Sequence, residues 1–228
     1  PLLRAMRAMF LDGIRPWVMV GLVPVLMEQL ADGYMKDRFC EYMVDKIARA
    51  RTDTERFRND QERLRAARYW LETFETNYRA YNDDFYRDIL GTLKWLQDEG
   101  SVEVLTSAAT HGFLPLMASD SALYAQVHIG VETYRRYFGR NPRGFWLPEC
   151  AYRPELWSDR EQRMRCSIDE WLAAEGIEYF FVEGVGITGA SFVENLRRET
   201  SPTTCRGYRL PSGTAVFGRN EETGRQVW

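Results

Sequence analysis

Short apolar runs that stop at a small or polar loop, each followed by apolar residues at helical spacing, recur along these 228 residues. This recurrence limits the fold more than any other feature. Trp17 to Leu22 is one such run, ending near Pro24. Leu26, Leu30, Met35, Phe39, Met43 and Ile47 then mark a helix from Val25 to Ala50, broken near Gly33. Val102 to Leu105 is a second run, and Leu123, Val127, Val131, Tyr134 and Tyr137 share one side of a helix from Ser121 to Phe138. Phe145 to Leu147 is a third, followed by a helix from Ile168 to Glu175 that Gly176 stops. Ile177 to Val182 is a fourth, and Gly207 to Pro211 with Thr214 to Phe217 read as a closing pair of strands. Continuous apolar strands alternating with helices predict a parallel sheet covered by helices, so the expected class is α/β, barrel-like or open.

Two helical stretches flank this pattern. Leu3, Met6, Phe10 and Leu11 predict a short N-terminal helix stopped by Gly13. Residues 51 to 100 are dense in Arg, Asp and Glu over an amphipathic spacing, which fits a solvated helical layer without chemistry. Within it, Asn82, Asp83 and Asp84 are expected to cap a helix running through Ile89, Leu93 and Leu96 to Gly100.

In parallel α/β folds the ends of the strands face a common cleft, and three such ends present ionisable groups: His111, Glu149 and Glu183. Pro148 closes the Phe145–Leu147 strand, so Glu149 is the first ionisable residue beyond it, set among Trp146, Cys150 and Tyr152. A carboxylate held there can act as nucleophile or base; a surface glutamate opening a loop is the competing reading. His111 follows small residues and precedes Gly112, where a backbone can approach a ligand and an imidazole can bond a hydroxyl or carboxylate. His128 falls inside a helix and reads as structural.

Composition excludes more than it selects. A net charge of -3 gives no electrostatic case for nucleic acid, and no apolar run reaches membrane-spanning length. Four scattered cysteines, Cys40, Cys150, Cys166 and Cys205, fit reduced thiols in a cytoplasmic enzyme. His111 and His128 stand seventeen positions apart, so no metal site built wholly from this chain is expected. Aromatic residues at 14% suit stacking on sugar rings as well as a core.

Three segments go further: EVLTSAATHGFLPL at Glu103–Leu116, GRNPRGFWLPECAYRP at Gly139–Pro154 and AVFGRNEETGRQVW at Ala215–Trp228. By these the chain resembles glycoside hydrolase family 57, and within it the 1,4-α-glucan branching enzymes. The resemblance implies an incomplete seven-stranded (β/α) barrel over residues 1–228, with a helical insertion at about 51–88. It implies a retaining activity on amylose- or glycogen-like α-1,4-glucan, with no cofactor, no metal, and neither nucleic acid nor membrane as partner. It makes Glu149 the catalytic nucleophile and His111 a residue lining the substrate cleft, with Trp146, Arg219 and Trp228 in positions that contact sugar. The family's general acid, an aspartate, would lie beyond Trp228, and its histidine-rich motif before Pro1. The stretch as given is therefore expected to be inactive and marginally stable alone. Glu183-Gly184-Val185 departs from the family pattern, which continues the acid with a small residue and often histidine. The alternatives are a 4-α-glucanotransferase, an amylase-type hydrolase or a catalytically silent glucan-binding domain. A metal-dependent polysaccharide deacetylase on a similar barrel is disfavoured by the absence of paired histidines.

Overall fold

A computed structural model describes residues 1–189 and 202–227. In chain order the helices and strands are α1 (Leu2–Leu11), β1 (Val18–Gly21), α2 (Pro24–Ala31), α3 (Gly33–Arg56), α4 (Gln61–Arg79), α5 (Ile89–Asp98) and β2 (Val102–Ser107). There follow α6 (Asp120–Phe138), β3 (Gly144–Trp146), β4 (Leu156–Ser158), β5 (Arg163–Arg165), α7 (Ile168–Ala174), β6 (Tyr179–Val182), α8 (Gly184–Thr188), β7 (Gly207–Arg209), β8 (Ala215–Gly218) and α9 (Glu221–Val227). The chain divides into two units, Pro1–Val18 with Leu26–Glu103, and Met19–Val25 with Val104–Trp228.

The first unit is helical. Phe10 of α1 meets Trp95 of α5 edge to face at 4.8 Å, which closes α1 onto α5. Asp32 breaks the long helical stretch: its carboxylate accepts the Met35 amide at 2.8 Å and caps α3. Asp60 caps α4 in the same way through the Arg63 amide. Asn82, Asp83 and Asp84 do not cap α5, contrary to expectation. They lie in a π-helical turn, Ala80–Asp84, that prolongs α4, and Asn82 donates back to the Tyr78 carbonyl at 2.9 Å. Tyr86 and Arg87, both at positive φ, then reverse the chain, so the cap falls to Asp88, which accepts the Gly91 amide at 2.9 Å.

The second unit holds a six-stranded sheet in the order β1-β2-β3-β6-β8-β7. β2, β3, β6 and β8 run parallel through Ser107↔Trp146, Trp146↔Phe181 and Phe181↔Phe217, and β7 returns antiparallel to β8. The α/β class follows from the sequence pattern as expected. Phe145, Phe180 and Val216 point to one face, where Leu123, Val127 and Val131 of α6 and Ile168 and Leu172 of α7 bury them. Strand alternation turns Trp146, Phe181 and Phe217 to the other face, where neighbouring rings lie 5.7–5.9 Å apart. Gly130 lets α6 approach β2 closely: a Cβ there would sit 2.2 Å from the Ser107 carbonyl oxygen.

β1 is not the buried strand that its apolar run predicts. It forms one edge of the sheet and Met19 is half exposed, because an edge strand has a neighbour on one side only. The β4–β5 hairpin, paired through Trp157↔Met164, and the short helices α8 and α9 also go unseen in the sequence. Leu-Trp-Ser and Arg-Met-Arg form no continuous apolar run of the kind that marks β3.

Candidate active site at the strand ends

Pro148 ends β3, and the next two residues adopt a conformation that L-residues rarely hold: φ is +57° at Glu149 and +51° at Cys150. Each costs about 1–3 kcal/mol, and such strain persists only where the surroundings enforce it. Here the Cys150 amide donates to Leu147 at 2.9 Å, the Ala151 amide to Pro148 at 3.1 Å, and the Glu183 amide at the end of β6 to the Cys150 carbonyl at 3.1 Å. Cys150 is buried, so it acts as the anchor. Glu149 is turned the other way, with 76% of its side chain exposed. That orientation brings Oε1 of Glu149 to 3.9 Å from Nε2 of His111.

His111 is placed by the end of β2. Its own φ is +54°, its amide donates to Ala108 at 3.0 Å, and the neighbouring Thr110 amide is held by the Gln126 side chain of α6 at 3.0 Å. Its Nδ1 lies 3.2 Å from the buried hydroxyl of Ser107, which donates to the Trp146 carbonyl at 2.8 Å. His111, Ser107 and Trp146 line a hollow of about 550 Å³, completed by Met19, Gly21, Val23, Leu105 and Phe181. That volume and its mainly apolar, aromatic wall with a few polar atoms suit a sugar ring. Glu149 stands beside the hollow, next to the imidazole, and is not part of its wall.

Beyond Cys150 lies a charged pair. Arg219, just past β8, meets the Glu183 carboxylate at 3.2 Å, and its amide donates to the Val182 carbonyl at 2.8 Å. Gly184 permits this approach, since a Cβ there would come within 2.9 Å of the Arg219 carbonyl oxygen. Burial pushes the Cys150 thiol from 9.0 up to about 11; the Glu183 charge adds to this, Arg219 opposes it, and Glu149 contributes last. Tyr152, on the core side, donates to Asp169 at 2.8 Å, and burial followed by that contact raises its phenol.

The structure thus brings His111, Glu149 and Trp146 together, and sets Arg219 against Glu183 at the neighbouring strand ends. Trp228 lies outside the described residues. His128 stacks on Tyr124 and meets Glu175 at 2.9 Å, away from these groups in role. Ser107 is the residue that sequence reasoning missed. Its contacts with His111 and Trp146 depend on facing Trp146 across the β2–β3 ladder, and its trace in sequence is a small hydroxyl residue closing an apolar run. Among the described residues no group of three or more His, Cys, Asp or Glu side chains is placed to hold a metal, and no helix is long and apolar enough to cross a membrane.

Residues 15–227 match the family model described as glycosyl hydrolase family 57. Over 237 aligned residues, 43% are identical to a 1,4-α-glucan branching enzyme of Thermococcus kodakarensis, covering 100% of this chain and 34% of the relative. The crystal structure of a GH57-type branching enzyme from Pyrococcus horikoshii has a TM-score of 0.86 at 44% identity, covering 100% of this chain and 42% of that one. An α-amylase from Thermotoga maritima has a TM-score of 0.76 at 27% identity with the same coverage. The chain therefore spans between a third and a half of the length of these relatives.

Proposed function

The chain belongs to glycosyl hydrolase family 57, and from that premise we propose that it carries the nucleophile side of an α-1,4-glucan branching site. One observation carries this reading above the others: a strained turn at the end of a parallel strand holds Glu149 beside His111, next to a sugar-sized hollow.

In this reading an oxygen of the Glu149 carboxylate attacks the anomeric carbon of a bound glucan. The bond to the leaving glucan breaks, its oxygen takes a proton from an acid, and a glucosyl ester remains on Glu149. By family resemblance that acid is an aspartate outside these residues; Glu183 is engaged by Arg219 and is not offered for the role. A 6-hydroxyl of an acceptor glucan then attacks the same carbon, gives up its proton to the conjugate base, and releases Glu149. Two inversions give net retention and an α-1,6 branch. Trp146 supplies an apolar wall for the sugar, and Arg219 pairs with Glu183 at the neighbouring strand ends. A solved relative from Thermococcus kodakarensis is described in complex with glucose, which supports a glucose-built ligand. Residues 51–88, which hold the end of α3 and the whole of α4, are read as the helical insertion. Four unbridged cysteines suit a reducing, cytoplasmic setting.

The test is product analysis of the complete protein on amylose. New α-1,6 linkages, released by a debranching enzyme, are expected. New reducing ends without α-1,6 linkages would reject branching for amylase-type hydrolysis, the reading that the α-amylase likeness supports.

A further inference from the structure

We infer that Ser107 is a positioning residue that locks the tautomer of His111, and so decides that the imidazole accepts rather than donates a hydrogen bond at the cleft. The inference rests on the reading of His111 as a substrate-facing residue. A serine hydroxyl has a single hydrogen. That of Ser107 is committed to the Trp146 carbonyl at 2.8 Å, because a carbonyl oxygen can only accept. Ser107 therefore meets the His111 Nδ1, 3.2 Å away, with a lone pair, and Nδ1 must carry the proton. In the neutral ring this leaves Nε2 as a bare acceptor, 3.9 Å from Oε1 of Glu149.

The consequence is chemical. When the imidazole is in its neutral form, Nε2 and the Glu149 carboxylate oxygen face each other as two acceptors, too far apart for a direct hydrogen bond. A group that brings hydrogens to both satisfies the pair, and two neighbouring hydroxyls of a sugar ring are such a group. Ser107 is buried and its one hydroxyl hydrogen is committed to Trp146, so it acts on the cleft through His111. The register Ser107↔Trp146 fixes the geometry, and Gly130 allows α6 to back the Ser107 carbonyl.

The experiment is a long-range proton–nitrogen NMR correlation on the complete protein labelled with 15N-histidine, with His111 assigned by loss of its signals in His111→Gln. The expected result is Nδ1 protonated and Nε2 bare in the wild type. A wild type with Nε2 protonated and Nδ1 bare overturns the inference, without need of any variant. Ser107→Ala should introduce the Nε2-protonated tautomer and lower kcat/KM by about 3- to 10-fold, the effect of one misplaced neutral hydrogen bond. Ser107→Thr, which keeps the hydroxyl, should retain the Nδ1-protonated form. An unchanged tautomer in a folded Ser107→Ala protein also overturns the assignment. The spectrum is read whether or not branches are made: a locked Nδ1 proton without branching rejects only the functional reading, and branching with the opposite tautomer rejects only this one.

Discussion

Oε1 of Glu149 lies 3.9 Å from Nε2 of His111, although 38 positions separate them in the chain. Each side chain leaves a loop at the end of a parallel strand, β3 for one and β2 for the other, and both residues sit at positive φ. Two neighbouring loops thus each hold a left-handed residue, and the two side chains are directed at each other.

Replacing Glu149 with Gln should leave the fold intact, because the side chain is mostly exposed. In the complete protein the proposed branching activity should fall by about three orders of magnitude or more, as for loss of a nucleophile. In Glu149→Ala, added azide should restore turnover and yield a β-glucosyl azide, since the small anion enters the face that the carboxylate vacates. Full activity of Glu149→Gln would remove Glu149 from the mechanism.

Gly130→Ala sets two effects against each other. Alanine improves helix propensity by about 1 kcal/mol. Its Cβ would meet the Ser107 carbonyl oxygen at 2.2 Å, however, and a backbone atom in a central strand cannot swing aside. Overpacking of this kind costs about 1–3 kcal/mol and should win. The urea midpoint should drop, and activity should fall with it through displaced Ser107. A variant as stable as the parent would mean that α6 and β2 are not in contact there.

Asp120, at the start of α6, gathers three arginines: Arg165 at 2.9 Å, Arg163 at 3.1 Å and Arg153 at 3.9 Å. Asp120, Arg165 and Arg153 are all buried, so Asp120→Ala would strand two guanidinium groups without their counter-ion. About 3–5 kcal/mol of stability should be lost, measurable as a lower urea midpoint. A loss under about 1 kcal/mol would show that carbonyl contacts alone satisfy these arginines.

Cys150 should be the slowest thiol to alkylate near neutral pH, and the exposed Cys205 among the fastest, by mass spectrometry of iodoacetamide-treated native protein. Burial raises the Cys150 pKa from 9.0 to about 11, so the folded state holds this proton more tightly than the unfolded state does. The stabilisation it brings is complete below pH 9 and is lost as pH rises through about 11. Cys150→Ala should therefore flatten the decline of stability across that window. Rapid labelling of Cys150 at neutral pH would contradict its place as the buried anchor of the Glu149 turn.

Much of this was legible in the residues. Apolar runs marked β2, β3 and β6, helical spacing marked α3 and α6, and Pro148 marked the end of the strand that presents Glu149. These are local properties, carried by a few consecutive side chains and the period at which they repeat. Other features were not local. The exposure of β1 depends on its lying at the edge of the sheet, and the capping role of Asp88 on a reversal at Tyr86 and Arg87. Arg165 is buried because Asp120, 45 positions earlier, neutralises it.

The amino-acid sequence by itself determined the strands of the parallel sheet, the long helices and which ionisable groups stand at the strand ends, because backbone preference and apolar periodicity act over a few neighbours. Only the tertiary structure decided that Glu149 faces His111, that Arg219 is spent on Glu183, and that the Ser107 hydroxyl is claimed by Trp146. Those relations depend on the order and register of strands far apart in the chain, and a hydrogen bond of about 3 Å exists only once that register has been chosen.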